Sequence, residues 1–157
     1  MGWFSNNQPS ILKTALKFEY QCSNTVWRLK DESHVTIVKS ILPVISQSDK
    51  TKLSTDFDFL KGKNEDRIVF RVKPLPQFQE AFVVKICPFI RFKHRLQYTV
   101  AMDYFRGINE AENLIIAADR GINVPQVYGC GHVYDFLKLI KMRIIILEDL
   151  NNYSSVS

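Results

Sequence analysis

The chain is poor in cysteine, with three among 157 residues, at Cys22, Cys87 and Cys130. No Cys-x-x-Cys pair occurs and no histidines stand near them at metal-ligand spacing, which excludes a disulfide-stapled scaffold and a zinc knuckle. Such an odd, scattered set reads as reduced core thiols in a cytosolic protein. Long apolar runs are also lacking. The longest, IIIL at 144–147, falls far short of the roughly 20 residues a spanning helix needs. The N-terminal MGWFSNNQPS has no basic stretch followed by an apolar one, so no secretory signal is visible. Asn6 stands where N-myristoylation wants Ser or Thr. Internal repeats and low-complexity tracts are absent. The expectation is a soluble, cytoplasmic protein, at most peripheral to a membrane.

What is present is enough apolar material, 46% of the residues, to bury one moderate core. The 21 Lys and Arg against 16 Asp and Glu leave a charge of +5. This excess suits an anionic ligand, a membrane surface or nucleic acid equally well.

Periodicity gives a coarse order of elements. Residues 10–21 carry a short helical stripe, Ile11, Leu12, Ala15 and Leu16, with Ser10 as cap. HVTIVKSIL (34–42) is rich in β-branched residues and reads as a strand, followed by a polar connection, SQSDKTKLST. DFDFLKGKNEDRIVFRVKP gives two alternating runs around a turn at Lys61 to Asp66, a hairpin with Gly62 at its tip. EAFVVKI is the third strand of an antiparallel set, entered through Pro74 and Pro76. After the basic RFKHR (91–95), residues 96–120 read as one helix with Ile108, Ala111, Ile115 and Ala118 on a face, ended by Gly121. INVPQVYGCGHV resumes extended structure, MRIIILEDL is a final buried strand, and NNYSSVS is a polar tail.

One residue conflicts with this pattern. Lys85 sits inside AFVVKICPF, among Phe82, Val83, Val84, Ile86 and Phe89. An ammonium in such surroundings is costly to desolvate unless a phosphate or carboxylate stands beside it. The plainer reading is that strand alternation turns it to solvent, or that it snorkels along the sheet.

Strands, a helix and two more strands around a single lysine is the order found in the small lobe of protein kinases. There the third strand carries a lysine for the α- and β-phosphates of ATP, and the next helix a glutamate that holds it. GINEAENLIIAADRGINVPQVYGCG resembles the Kdo and heptose kinases of the lipopolysaccharide core. Their pattern here is Glu, several apolar positions, Gly-Val or Gly-Ile, then Val-Pro and a Gly-containing strand. The glutamate falls eleven residues before the glycine in that pattern, which selects Glu110. Glu112 is the rival, about 200° around the helix, so only one of the two can face the sheet.

This resemblance covers residues 55–150 and implies an α+β fold: a protein-kinase-like small lobe, an antiparallel sheet of about five strands packed on one long helix, with the large lobe absent. Residues 1–54 would be an extension without a motif, and 151–157 a hinge or polar tail. By the same resemblance Lys85 orients the phosphates of ATP, Glu110 fixes Lys85, and Gly62 lies in the phosphate-covering hairpin. RIIILEDL looks like the strand entering the hinge, where main-chain groups of Glu148 and Leu150 would bond the adenine edge and Ile146 or Leu147 would line the pocket. A plain core strand with a frayed end is the alternative for those residues.

The sequence departs from the pattern in several places. The hairpin has no G-x-G-x-x-G. No His-x-Asp catalytic loop exists, and Asp135-Phe136-Leu137 lacks the glycine of Asp-Phe-Gly and precedes the hinge. Magnesium is implied by the family, but its ligands are missing from this chain. The resulting expectation is the ATP-binding part of a phosphotransferase acting on an inner-core sugar hydroxyl, truncated before its catalytic lobe. Its partners would be ATP, a missing lobe or separate chain, and the surface of the inner membrane. A pseudokinase-like protein-binding module is one alternative. A nucleic-acid-binding domain is another, drawn from Arg67, Arg71, Lys73, Arg91, Lys93 and Arg95 interleaved with Phe70, Phe89 and Phe92.

Overall fold

A computed structural model describes residues 11–46, 57–62, 67–73, 81–101 and 109–149. A short helix α1 (Ile11–Ala15) precedes a hairpin of β1 (Phe18–Cys22) and β2 (Thr25–Leu29). A 3-10 turn at Glu32–His34, capped by the Asp31 carboxylate on the Ser33 amide, runs into α2 (Val35–Ile45). Three strands follow, β3 (Phe57–Gly62), β4 (Ile68–Val72) and β5 (Phe82–Pro88). Helices α3 (Phe92–Ala101) and α4 (Asn109–Asp119) come next, and then β6 (Val127–Tyr134) and β7 (Ile140–Glu148).

All seven strands form one antiparallel sheet in the order β1-β2-β6-β7-β5-β4-β3. The expected sheet of about five strands on one long helix is therefore corrected. Seven strands and four helices are present among the described residues. Residues 18–21, expected within a helical stretch, belong to the edge strand β1, and β2 inside it hydrogen-bonds to β6. Of the expected single helix over 96–120, the described residues show α3, which starts earlier at Phe92, and α4, which ends at Asp119, while 102–108, with Ile108, lie outside the described residues.

HVTIVKSIL is helix, not strand. Its β-branched residues favour extended backbone only weakly, and tertiary packing overrides them. Ile37, Val38, Ile41, Val44 and Ile45 recur at helical spacing and are all buried. They press on one face of the sheet, against Trp27, Leu29, Phe70, Phe82, Val84, Ile144 and Ile146.

The opposite face packs against α1 and α4. Here Val83, Cys130, Ile145 and Leu147 meet Leu12, Leu16, Ala111, Leu114 and Ile115. Arg28 ties α1 to the sheet: its Nε donates to the Leu16 carbonyl at 2.9 Å and its Nη1 meets the Glu19 carboxylate at 2.5 Å. A guanidinium at that position satisfies carbonyls that the end of a helix leaves open. The C-terminus of α4 closes in a Schellman arrangement. The Ile122 amide donates to the Ala117 carbonyl and the Gly121 amide to that of Ala118, both at 3.0 Å. Gly121 takes the positive φ of 81° that this closure requires.

Strand alternation now places the lysine. On β5, Phe82, Val84 and Ile86 point to the α2 face, and Val83, Lys85 and Cys87 to the face of α4. Lys85 is neither in the apolar core nor turned to open solvent.

Candidate functional site

Lys85 stands in a row with Val69 on β4 and Ile145 on β7, both apolar. Its ammonium donates to the Glu110 carboxylate, in the first turn of α4. Ala111, fully buried, lets that turn lie close to the sheet, which carries Glu110 to the lysine. Both side chains remain partly exposed, Lys85 at 26% and Glu110 at 36%. Glu112 points elsewhere. It is half-buried, and burial together with its nearby charge pushes the Cys130 thiol up. Cys130 is thus held as an un-ionised core thiol.

The pair lies in a small recess whose other walls are Arg67, Cys87, Arg143 and Ile145. Arg67 opens β4, and Arg143 faces Cys87 across β5 and β7. The Arg143 guanidinium also lies over the Tyr98 ring, 5.9 Å from its centroid. Three cations against one carboxylate leave a net positive recess that favours an anion able to take several charge-assisted hydrogen bonds. A phosphate or polyphosphate has that chemistry.

Reasoning from the sequence did not single out Arg143, and it placed Arg67 with a different surface. Alternation along β7 holds the signal: Arg143, Ile145 and Leu147 share the face opposite to Ile144 and Ile146. Pairing that face with Lys85 would have gathered the cations.

The other expected residues are distributed as follows. Gly62 ends β3 beside Ile68, one row beyond Lys85 across β4 and β5. Its φ is +113°, and a Cβ there would stand 1.7 Å from the Arg67 carbonyl oxygen. Only glycine allows the hairpin to close there. The hairpin tip, 63–66, lies outside the described residues. Leu147 shares the Lys85 face and pairs with Val83, but it is buried beneath α1 and α4. Ile146 belongs to the α2 face. The Glu148 amide donates to the Gln126 carbonyl at 2.9 Å, so that N–H is committed and cannot also serve adenine. Leu150 lies outside the described residues.

The basic and aromatic residues considered for nucleic acid do not all share one surface. Phe70 is fully buried on the α2 face, whereas Arg71 of the same strand points the other way and pairs with Asp149 and Asp58. Arg95 is paired with Asp135 at 3.0 Å.

The side chains of this small recess carry the charge to attract a phosphate anion. For magnesium they offer nothing comparable: among the described residues no cluster of three His, Cys, Asp or Glu side chains could hold a metal ion. No helix among the described residues is long and apolar enough to cross a membrane. No protein-family model matches this sequence, and no curated protein or solved structure is significantly similar to it.

Proposed function

We propose that this chain grips the phosphates of ATP on behalf of a phosphotransferase of the lipopolysaccharide inner-core sugar kinase type. The observation that carries the reading is the Lys85 to Glu110 pair inside a recess that also presents Arg67 and Arg143. Glu110 holds the ammonium in one place, so that it meets incoming phosphate oxygens without first being ordered. Arg67 and Arg143 flank it, offering guanidinium donors to further oxygens. The reading also gives the glycine-bearing β3–β4 hairpin, in which Gly62 pairs with Ile68, the role of covering those phosphates.

Transfer itself requires a base for the acceptor hydroxyl and ligands for magnesium. This sequence has no His-x-Asp loop to supply them, so the proposal gives those roles to a further lobe or a separate chain. The reaction would run in the cytoplasm, at the membrane where its sugar acceptor is built.

Titration of the isolated chain with a fluorescent ATP analogue tests the nucleotide reading. Lys85→Met and Glu110→Gln are each expected to weaken binding about tenfold or more, the loss of roughly one charge-assisted contact. Circular dichroism melting should stay close to that of the parent. Equal affinities for the parent and Lys85→Met would reject the assignment, as would an analogue that never binds.

A further inference from the structure

A second surface, away from the Lys85 recess, combines exposed apolar side chains with positive charge. On α3, Phe92, Leu96 and Val100 are spaced four apart and are 58%, 42% and 70% exposed, one uncovered stripe along the helix. Ile90 precedes it, 55% exposed, and the β6–β7 turn adds Phe136 and Leu137 at 91% and 53%. These are not frayed ends. The Asp135 carboxylate accepts from the amides of Leu137 and Leu139, at 2.9 and 3.0 Å, and from Arg95 Nη1 at 3.0 Å. Thr99 Oγ1 accepts from the Ile140 amide at 2.8 Å, fastening the turn to α3 a second time. Arg95 and Thr99 lie about 100° around α3 from the apolar stripe, so turn and stripe adjoin.

Among the described residues, the charges of these two segments are mostly positive. Residues 90–100 and 135–141 contain Arg91, Lys93, Arg95, Lys138 and Lys141, and Asp135 is their only carboxylate. Arg95 already engages Asp135, which leaves the outward-facing residues cationic. Arg91, Lys93 and Lys138 are exposed beside the apolar side chains. Phenylalanine and leucine tips beside Lys and Arg, with Asp135 the one carboxylate of these two segments, match the boundary between anionic headgroups and acyl chains.

We propose that α3 and the β6–β7 turn form a docking face for an anionic lipid bilayer. The aromatic and aliphatic tips enter the headgroup layer while Arg91, Lys93, Lys138 and Lys141 meet lipid phosphates. This proposal stands apart from the nucleotide reading, because none of these residues lines the Lys85 recess.

Co-sedimentation of the full chain with vesicles provides the test, comparing phosphatidylcholine alone with phosphatidylcholine containing phosphatidylglycerol. Binding to the anionic vesicles only, weakening steeply with added salt, is expected. The double variants Phe136→Ser/Leu137→Ser and Arg91→Glu/Lys93→Glu should each lower that binding by about tenfold or more. Melting temperature should be little changed, since these side chains are exposed. Absent binding, equal binding to neutral vesicles, or unchanged binding by both variants would overturn the proposal. So would concentration-dependent self-association, or oligonucleotide binding without vesicle binding, if the same charge reversals abolished it. Those results would assign the face to a second copy or to nucleic acid.

Discussion

Arg71 on β4 donates to the carboxylate of Asp149, just past the end of β7, reaching over the intervening strand β5. Asp149 is almost fully buried and Arg71 about a quarter exposed. Removing the cation takes a charge partner from a largely desolvated carboxylate, so Arg71→Met should destabilise the fold by about 2 kcal/mol. That is below the usual range for a fully buried pair, because water reaches the arginine. Urea unfolding measures it, and Arg71→Met/Asp149→Leu should recover part of the loss. A single-variant effect below about 0.5 kcal/mol, typical of a surface site, would contradict this account.

Gly62 and Gly121 both have positive φ, but for different local reasons. At Gly62 a Cβ collides with the Arg67 carbonyl oxygen, whereas at Gly121 nothing lies within 4 Å. Gly121→Ala should therefore cost only the backbone strain, about 1 kcal/mol. Gly62→Ala should cost at least about 2 kcal/mol and disturb the β3–β4 hairpin. Comparative thermal melts decide the point, and equal shifts for the two variants would count against it.

The parts of the fold legible in the sequence were those where local pattern and final packing agree. β5 and β7 are apolar runs bounded by turns, and the β3–β4 pair is an alternating hairpin with a glycine near the turn. The contact of Lys85 with Glu110 was expected because a charge inside an apolar strand demands a counter-charge and the kinase resemblance selected Glu110 over Glu112. What stayed hidden depended on distant contacts. α2 has β-branched residues that mimic a strand, and its helical character comes from the sheet face that Ile37, Ile41 and Val44 cover. β1, Phe-Glu-Tyr-Gln-Cys, does alternate apolar and polar residues, but the helical stripe of Ile11, Leu12, Ala15 and Leu16 just before it drew the reading of these residues into a helix. Arg143 could not be joined to Lys85 without the register of β5 on β7.

Gly131 is a packing constraint on β6. A Cβ there would stand 2.3 Å from Cε3 of Trp27, whose indole is fully buried and donates from Nε1 to Thr25 Oγ1 at 2.8 Å. Gly131→Ala should push the indole off this seat and cost about 1–3 kcal/mol. Denaturation monitored by tryptophan fluorescence should show an altered native spectrum as well as a lower midpoint. An unchanged spectrum and midpoint would mean the indole yields freely.

His132 supplies a pH dependence. It is fully buried, and burial, aided by the neighbouring Arg143 charge, lowers its pKa to about 4. An unfolded histidine titrates near 6.5, so between those values the unfolded chain binds the proton and the folded chain does not. Stability is therefore retained above pH 6.5 and lost as pH falls toward 4, by up to about 3 kcal/mol from this residue. His34, lowered chiefly by burial, acts in the same direction. Tyr98 packs edge-on against the His132 ring, a contact that phenylalanine can keep. His132→Phe should flatten the decline in urea midpoint over this range, and an equally steep decline would place the acid sensitivity elsewhere.

The pairing of β2 with β6 constrains the order of assembly. Asn24 bonds to Tyr134 across 110 positions of chain, so the β1–β2 hairpin can find its seat only after β6 has been synthesised. Closing so long a loop raises the kinetic barrier more than it lowers the final stability. The β6–β7 hairpin is a local pairing, and the β1–β2 hairpin can dock only once β6 is in place. Until it does, the open flank of β6 is a sticky edge, and the nascent chain is most prone to aggregate at that stage.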